Sequence, residues 1–175
     1  MSASISIDTL NSLNTRAVKL LQYLDVKHPN QNWAQFLNGN NIQWNKVVTA
    51  GHSQGAGHAL YFAQVNNPDR CIMFSGANDY SNFYNRPANW ISNGFATAKT
   101  NIYSFLHFQD EGMPQSYDQF EILDSLGMFK LYDTVLVDNI IPPYNNSNLL
   151  YTNEVPQSML IAPYHNATVI DFWTP

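Results

Sequence analysis

"KVVTAGHSQGAGHAL", residues 46–60, runs from a β-branched stretch through closely spaced glycines into an Ala- and Leu-rich one. Within it, Gly51-His52-Ser53-Gln54-Gly55 fits G-x-S-x-G, with a strand pattern before and a helix pattern after. In that context the pattern sets a serine on a sharp strand-to-helix turn. The turn strains the serine backbone and crowds residues two positions either side, so glycine is expected to be needed at both Gly51 and Gly55. Ser53 Oγ then stands at the carboxyl end of the strand, beside a helix N-terminus whose backbone N–H groups favour developing negative charge. Gly57 is expected to allow close packing of helix on sheet. The simpler reading of the same letters is a β-α turn with Ser53 as an ordinary N-cap.

Working outward, residues 9–26 place Leu10, Leu13, Ala17, Val18, Leu21 and Leu24 at spacings of three and four, predicting an amphipathic helix with Asp8 as N-cap. "WAQFL" (33–37) predicts a short helical piece before a turn at Gly39. "KVVTA" (46–50), "CIMFS" (71–75), "IYSFLHF" (102–108) and "SMLIAPY" (158–164) read as strands suited to burial on both faces. The stretches between them are long enough for crossover helices, so the expected class is α/β with a mainly parallel sheet. The first crossover, residues 54–67, carries Ala56, Ala59, Leu60 and Ala63 on one stripe and stops at Pro68. Residues 115–128 put Phe120, Leu123 and Leu126 on one side of another helix.

A serine hydroxyl needs a histidine to take its proton and a carboxylate to orient that histidine. Of five histidines, His28 lies in a loop upstream of the turn, His52 flanks Ser53, His58 falls inside the following helix and His107 inside a strand pattern. His58 is expected to be a packed or capping residue, and His107 a satisfied core histidine. His165, in "APYHNATVID", follows the last strand-like run, from which a loop can fold back across the sheet edge. It is the preferred base. Asp110 ends the third strand and Asp79 the second, both on the edge where parallel sheets collect their sites. Asp110 is the preferred acid, Asp79 the alternative and Glu111 a third; each carboxylate has a capping or turn role as its plainer explanation.

A chain of 175 residues with 45% apolar residues is expected to form one domain over 1–175. Charged residues make up 12%, the net charge is −5, and no basic run offers a site for a phosphate backbone, so nucleic acid is not an expected partner. No apolar run reaches the ~18–20 residues of a membrane span, and "MSASISIDTLNSL" lacks the features of a secretory signal. Cys71 is the one cysteine, expected to be buried and inert, and excludes an internal disulfide or a thiolate zinc site. Neither a metal cluster nor a dinucleotide fingerprint is present, so no cofactor is implied.

The order Ser53, Asp110, His165 together with "VVTAGHSQGAGHAL" resembles the α/β-hydrolase superfamily, more narrowly its bacterial esterase-like members with a G-H-S-Q-G elbow. There the nucleophile follows the fifth strand, the acid usually the seventh and the histidine the eighth. The four strands read above would correspond to strands five to eight, giving the C-terminal portion of that fold from residue 9 onward. The resemblance implies a serine hydrolase that cleaves carboxylic esters through an acyl-enzyme: Ser53 attacks, His165 acts as base then acid, Asp110 orients it and the Gln54 N–H supports the oxyanion. Members of the superfamily have four further strands ahead of the first helix, and the loop after the third supplies a second oxyanion donor. Their absence is expected to leave residues 46–50 as an exposed edge that self-associates or is completed by another chain, or to reflect a truncated coding region. An alternative function is therefore a weak or inactive hydrolase fragment acting as an interaction subunit. The low charge near the site points to a small neutral ester. Tyr80, Phe83, Tyr84 and Trp90 either line its pocket or pack a long loop.

Overall fold

The computed structural model describes residues 10, 12–112, 115–155 and 160–169. Its contacts divide the chain into two compact units, one ending at Val47 and the other starting at Val48, where length alone predicts one domain. In the first unit, helix α1 (Leu13–Lys27) is capped by Ser12, whose side chain accepts the Thr15 N–H. Asp8, the expected cap, lies outside the described residues. Leu10 precedes the helix and is exposed; Ala17, Val18, Leu21 and Leu24 carry the half-buried face. That helix packs on a 3-10 turn at Trp33–Phe36, and Asp25 Oδ1 accepts the Ala34 N–H at 2.9 Å. Strands β1 (Leu37–Asn38) and β2 (Asn41–Ile42) pair across a turn in which Gly39 takes φ +59°, a conformation that favours glycine.

The second unit is α/β. Strand β3 (Val48–His52) leads into α2 (Gln54–Val65) and returns as β4 (Arg70–Phe74). A two-stranded ribbon, β5 (Tyr80–Ser81) with β6 (Arg86–Pro87), precedes β7 (Ile102–His107) and α3 (Ser116–Leu126). Strands β8 (Val135–Leu136) and β9 (Leu149–Thr152) and the short helix α4 (Pro163–Asn166) follow. The main sheet has the order β3-β4-β7-β9-β8 with every pairing parallel. His52 pairs with Phe74, Phe74 with Phe105, and His107 with Thr152, so the residues following all four strands emerge at one edge.

One face of this sheet holds the core. Ala56, Ala59, Leu60 and Ala63 of α2 join Ile122, Leu123 and Leu126 of α3 over Cys71, Met73, Ile102, Leu106 and Leu149. Burial pushes the Cys71 thiol up to about 12, so it stays protonated and inert. Gly127, at φ +80°, ends α3. The opposite face presents Ile72, Phe74, Tyr103, Phe105 and Leu150, which line an apolar hollow of about 320 Å³. No helix among the described residues is long and apolar enough to cross a membrane.

The expected strand at 158–164 is corrected. Ser158 and Met159 lie outside the described residues, while 161 and 162 form a bend and Pro163 opens α4. Proline cannot donate to a ladder but suits the first turn of a helix, which decides against a strand there. The fourth long strand is instead "LLYT" at 149–152, a run obscured in the sequence by the asparagines around it.

Candidate functional site

Ser53 sits between β3 and α2 at φ +57°, ψ −124°, a conformation rare for a residue with a side chain. Its N–H donates to Phe74 O at 2.9 Å, which continues the β3–β4 ladder through the turn. Its side chain makes no capping bond to α2, so the N-cap reading of this serine does not describe it. The two elbow glycines differ. A Cβ on Gly51 would stand 2.0 Å from Gly55 O, whereas one on Gly55 would meet nothing within 4 Å. Gly57 is needed for a reason other than helix packing on the sheet: a Cβ there would lie 2.2 Å from Asp79 Oδ2.

His165, on α4, donates from Nδ1 to both oxygens of Asp110, at 2.8 and 2.9 Å. The Asp110 side chain is fully buried and that of His165 is 13% exposed. Two further donors hold the carboxylate: the Gly112 N–H on Oδ1 at 2.7 Å and Gln119 Nε2, from α3, on Oδ2 at 3.1 Å. Burial works to raise the Asp110 pKa, but the hydrogen bonds from His165, Gly112 and Gln119 outweigh it and hold the group below the usual carboxylate range. The bond to Asp110 in turn raises His165 above the ordinary imidazole value, against the opposing effect of burial. With the proton on Nδ1, His165 Nε2 carries the free lone pair.

The backbone of His165 is tied to the elbow. Its carbonyl accepts from His52 Nε2 at 2.9 Å and from Ser75 Oγ at 2.6 Å, and the His52 and His165 rings lie 4.8 Å apart. Ser75 spends its one proton on that carbonyl, so Thr168 Oγ1 donates to Ser75 Oγ at 2.7 Å. Glu111, the third acid candidate, accepts the His165 N–H at 3.0 Å and the Tyr164 N–H at 3.3 Å. It holds the backbone of His165 rather than its ring. No hydrogen bond joins Ser53 Oγ to His165.

Asp79, the alternative acid, is apart from this pair. It lines a hollow of about 350 Å³ with Ser53, Gln54, His58 and Asn78. Burial raises the Asp79 carboxyl, against the pull of the His58 charge and a hydrogen bond from Trp90. His58 is exposed on that hollow, not packed as its helical position suggests. The aromatics of the loop after β4 do not line it: Tyr80 and Trp90 pack on the core, while Phe83 and Tyr84 are exposed and stack edge-on. His107 is fully buried, its Nδ1 accepting the Gln109 N–H at 3.0 Å and its ring lying 4.9 Å from that of Tyr164. Burial lowers its pKa from the ordinary imidazole value, against the opposing effect of a hydrogen bond to the Asn153 backbone.

Sequence reasoning missed Gly112, Gln119, Ser75 and the anchoring role of His52. Gly112 had a signal, since a glycine two residues past a candidate acid marks a tight turn. A Cβ there would stand 2.6 Å from His165 Nδ1 and 2.9 Å from Asp110 Oδ1. Gln119 had none, because its role depends on how α3 crosses the sheet edge. Among the described residues no group of three or more His, Cys, Asp or Glu is placed to hold a metal ion. No family model, curated protein or solved structure matches the chain.

Proposed function

We propose that the chain is a serine hydrolase of the α/β-hydrolase kind, cleaving small, uncharged carboxylic esters through an acyl-enzyme. The observation that carries this reading is the doubly bonded pair of His165 Nδ1 with the buried Asp110 carboxylate, tied through His52 to a positive-φ serine that caps nothing. Ser53 Oγ attacks the ester carbonyl while its proton passes to His165 Nε2. The carbonyl π electrons move to oxygen, and the oxyanion takes the Gln54 N–H at the start of α2, one donor of a kind whose loss costs on the order of 10²–10³ in rate. Collapse expels the alcohol, which leaves with the His165 proton. Water then attacks the acyl-serine with His165 as base, releasing the acid and restoring Ser53. Asp110 keeps the proton on Nδ1 throughout and stabilises the imidazolium. The hollow lined by Asn78, Asp79 and His58 gives the substrate a polar wall beside Ser53.

A fluorophosphonate probe tests the reading directly. Stoichiometric labelling of the purified chain, lost in Ser53→Ala, is expected. Absence of labelling at high protein concentration would leave the alternative, a non-catalytic interaction subunit.

A further inference from the structure

A second concave site lies between α3, the turn after it and the strands β7 and β9. Phe108, Phe120, Phe129 and Tyr151, together with Tyr132, line a groove of about 490 Å³ that also contains Asp133 and Thr134. The rings are organised: Phe120 stacks on Phe129 at 6.4 Å, and Tyr151 lies 6.0 Å from Phe108 and edge-on to Phe120 at 6.5 Å. Two of them stay open to solvent, Phe108 at 55% and Phe129 at 38% exposure. The backbone of Phe108 is held on both sides, its N–H donating to Thr152 O and its carbonyl accepting from Ser116 Oγ. A lone exposed phenylalanine is ordinary, but five aromatic side chains lining one groove with a single carboxylate residue are not.

Asp133 is that carboxylate. Its backbone carbonyl accepts from Ser147 Oγ at 2.6 Å, which fixes the residue in place, while its carboxylate has no ion-pair partner among the described residues. No lysine or arginine lines the groove to neutralise it. Ring faces carry negative charge density and attract cations, most strongly weakly hydrated ones that have no N–H groups to satisfy. The lining offers one carboxylate, the Thr134 hydroxyl and the tyrosine hydroxyls, but no amide or guanidinium of the sort that grips sugar hydroxyls in pairs.

We propose that this groove binds a small quaternary ammonium ion, its methyl groups against Phe108, Phe129 and Tyr151 and its charge facing Asp133. The site is separate from the Ser53 hollow, sharing none of its lining residues, and does not depend on the hydrolase reading.

Choline and its neutral isostere 3,3-dimethylbutan-1-ol, titrated into the isotopically labelled full chain and followed by amide chemical shifts, separate charge from shape. The expected result is saturable choline-dependent shifts at Phe108, Phe129 and Asp133, with Kd on the order of 1 mM, and at least about tenfold weaker binding of the alcohol. Asp133→Asn and Phe129→Leu should each weaken choline several-fold with an unchanged amide fingerprint elsewhere. Asp133 is exposed, so its variant decides the matter if Phe129→Leu fails to fold. Equal binding of both probes, no saturable shifts at these amides, glucose shifting them where choline does not, or binding only to phosphatidylcholine vesicles would each overturn the proposal.

Discussion

Gly51 and Gly55 occupy symmetric places around Ser53, yet only one is sterically fixed. Gly51→Ala forces its Cβ into the Gly55 carbonyl and is expected to cost soluble expression or several degrees in Tm; Gly55→Ala is expected to leave both near the wild-type value, which a thermal melt of the pair checks. Gly112→Ala is a sharper probe, since its methyl group would press on the ring of His165 and on Asp110 at once. A displacement of about 1 Å can cost on the order of 10²-fold in rate, so kcat should fall by that order with the fold intact; unchanged kcat would contradict the roles given to His165 and Asp110. The same pair sets two opposite pH dependences. His165 is raised, so its contribution to stability is complete below the ordinary imidazole value of about 6.5 and is lost as pH rises through its own higher pKa. Asp110 is lowered, so its contribution is present above about 3.9 and is lost as pH falls through its own lower pKa. On the proposed reading the reaction needs neutral His165, so the acidic limb of kcat/KM should lie above about 6.5 and move down in Asp110→Asn. A limb that ignores that substitution would remove Asp110 from the mechanism.

Among the described residues, strand β3 pairs on one side only. Ser53 N–H points to β4, and alternation along a strand means that Thr49 and Gly51 point there too, leaving the N–H groups of Ala50 and His52 facing away from β4. Amide exchange should therefore alternate along β3, with Ala50 and His52 faster than Thr49 and Gly51; uniform slow exchange would mean that the edge is covered in solution. α3 contributes through Gln119, whose loss in Gln119→Leu removes a hydrogen bond to a charged group and should lower kcat about tenfold, while KM stays unchanged. The elements easiest to read in the sequence were those with a strong period or a steric demand: α2 with its small-residue stripe, β3, β4 and β7 with their apolar runs, and the elbow itself. The Asp110–His165 pairing was legible from the order of the two residues along the chain and from the place of Asp110 just past β7, whereas the strand expected just before His165 is not formed. "LLYT" was too short and too enclosed by asparagine to stand out, and Pro163 outweighed the apolar run before it. Gln119 and Ser75 act only through tertiary placement, which no local pattern encodes.

At the scale of the whole molecule, Ser53 and His165 stand 112 residues apart (165 − 53), whereas the elbow is locked by the neighbouring strand through Phe74. Contacts close in sequence form with little loop entropy, and distant ones come later. On refolding from denaturant, far-UV circular dichroism should recover before fluorophosphonate reactivity at Ser53; coincident recovery under all conditions would remove the lag. Chains are also made from the N-terminus, at about 5–20 residues per second. On the proposed reading, the nascent elbow is exposed to the cell for seconds while the segment carrying its base has not yet been translated. On that reading, the wide spacing of the two residues withholds a reactive serine until synthesis has passed α4.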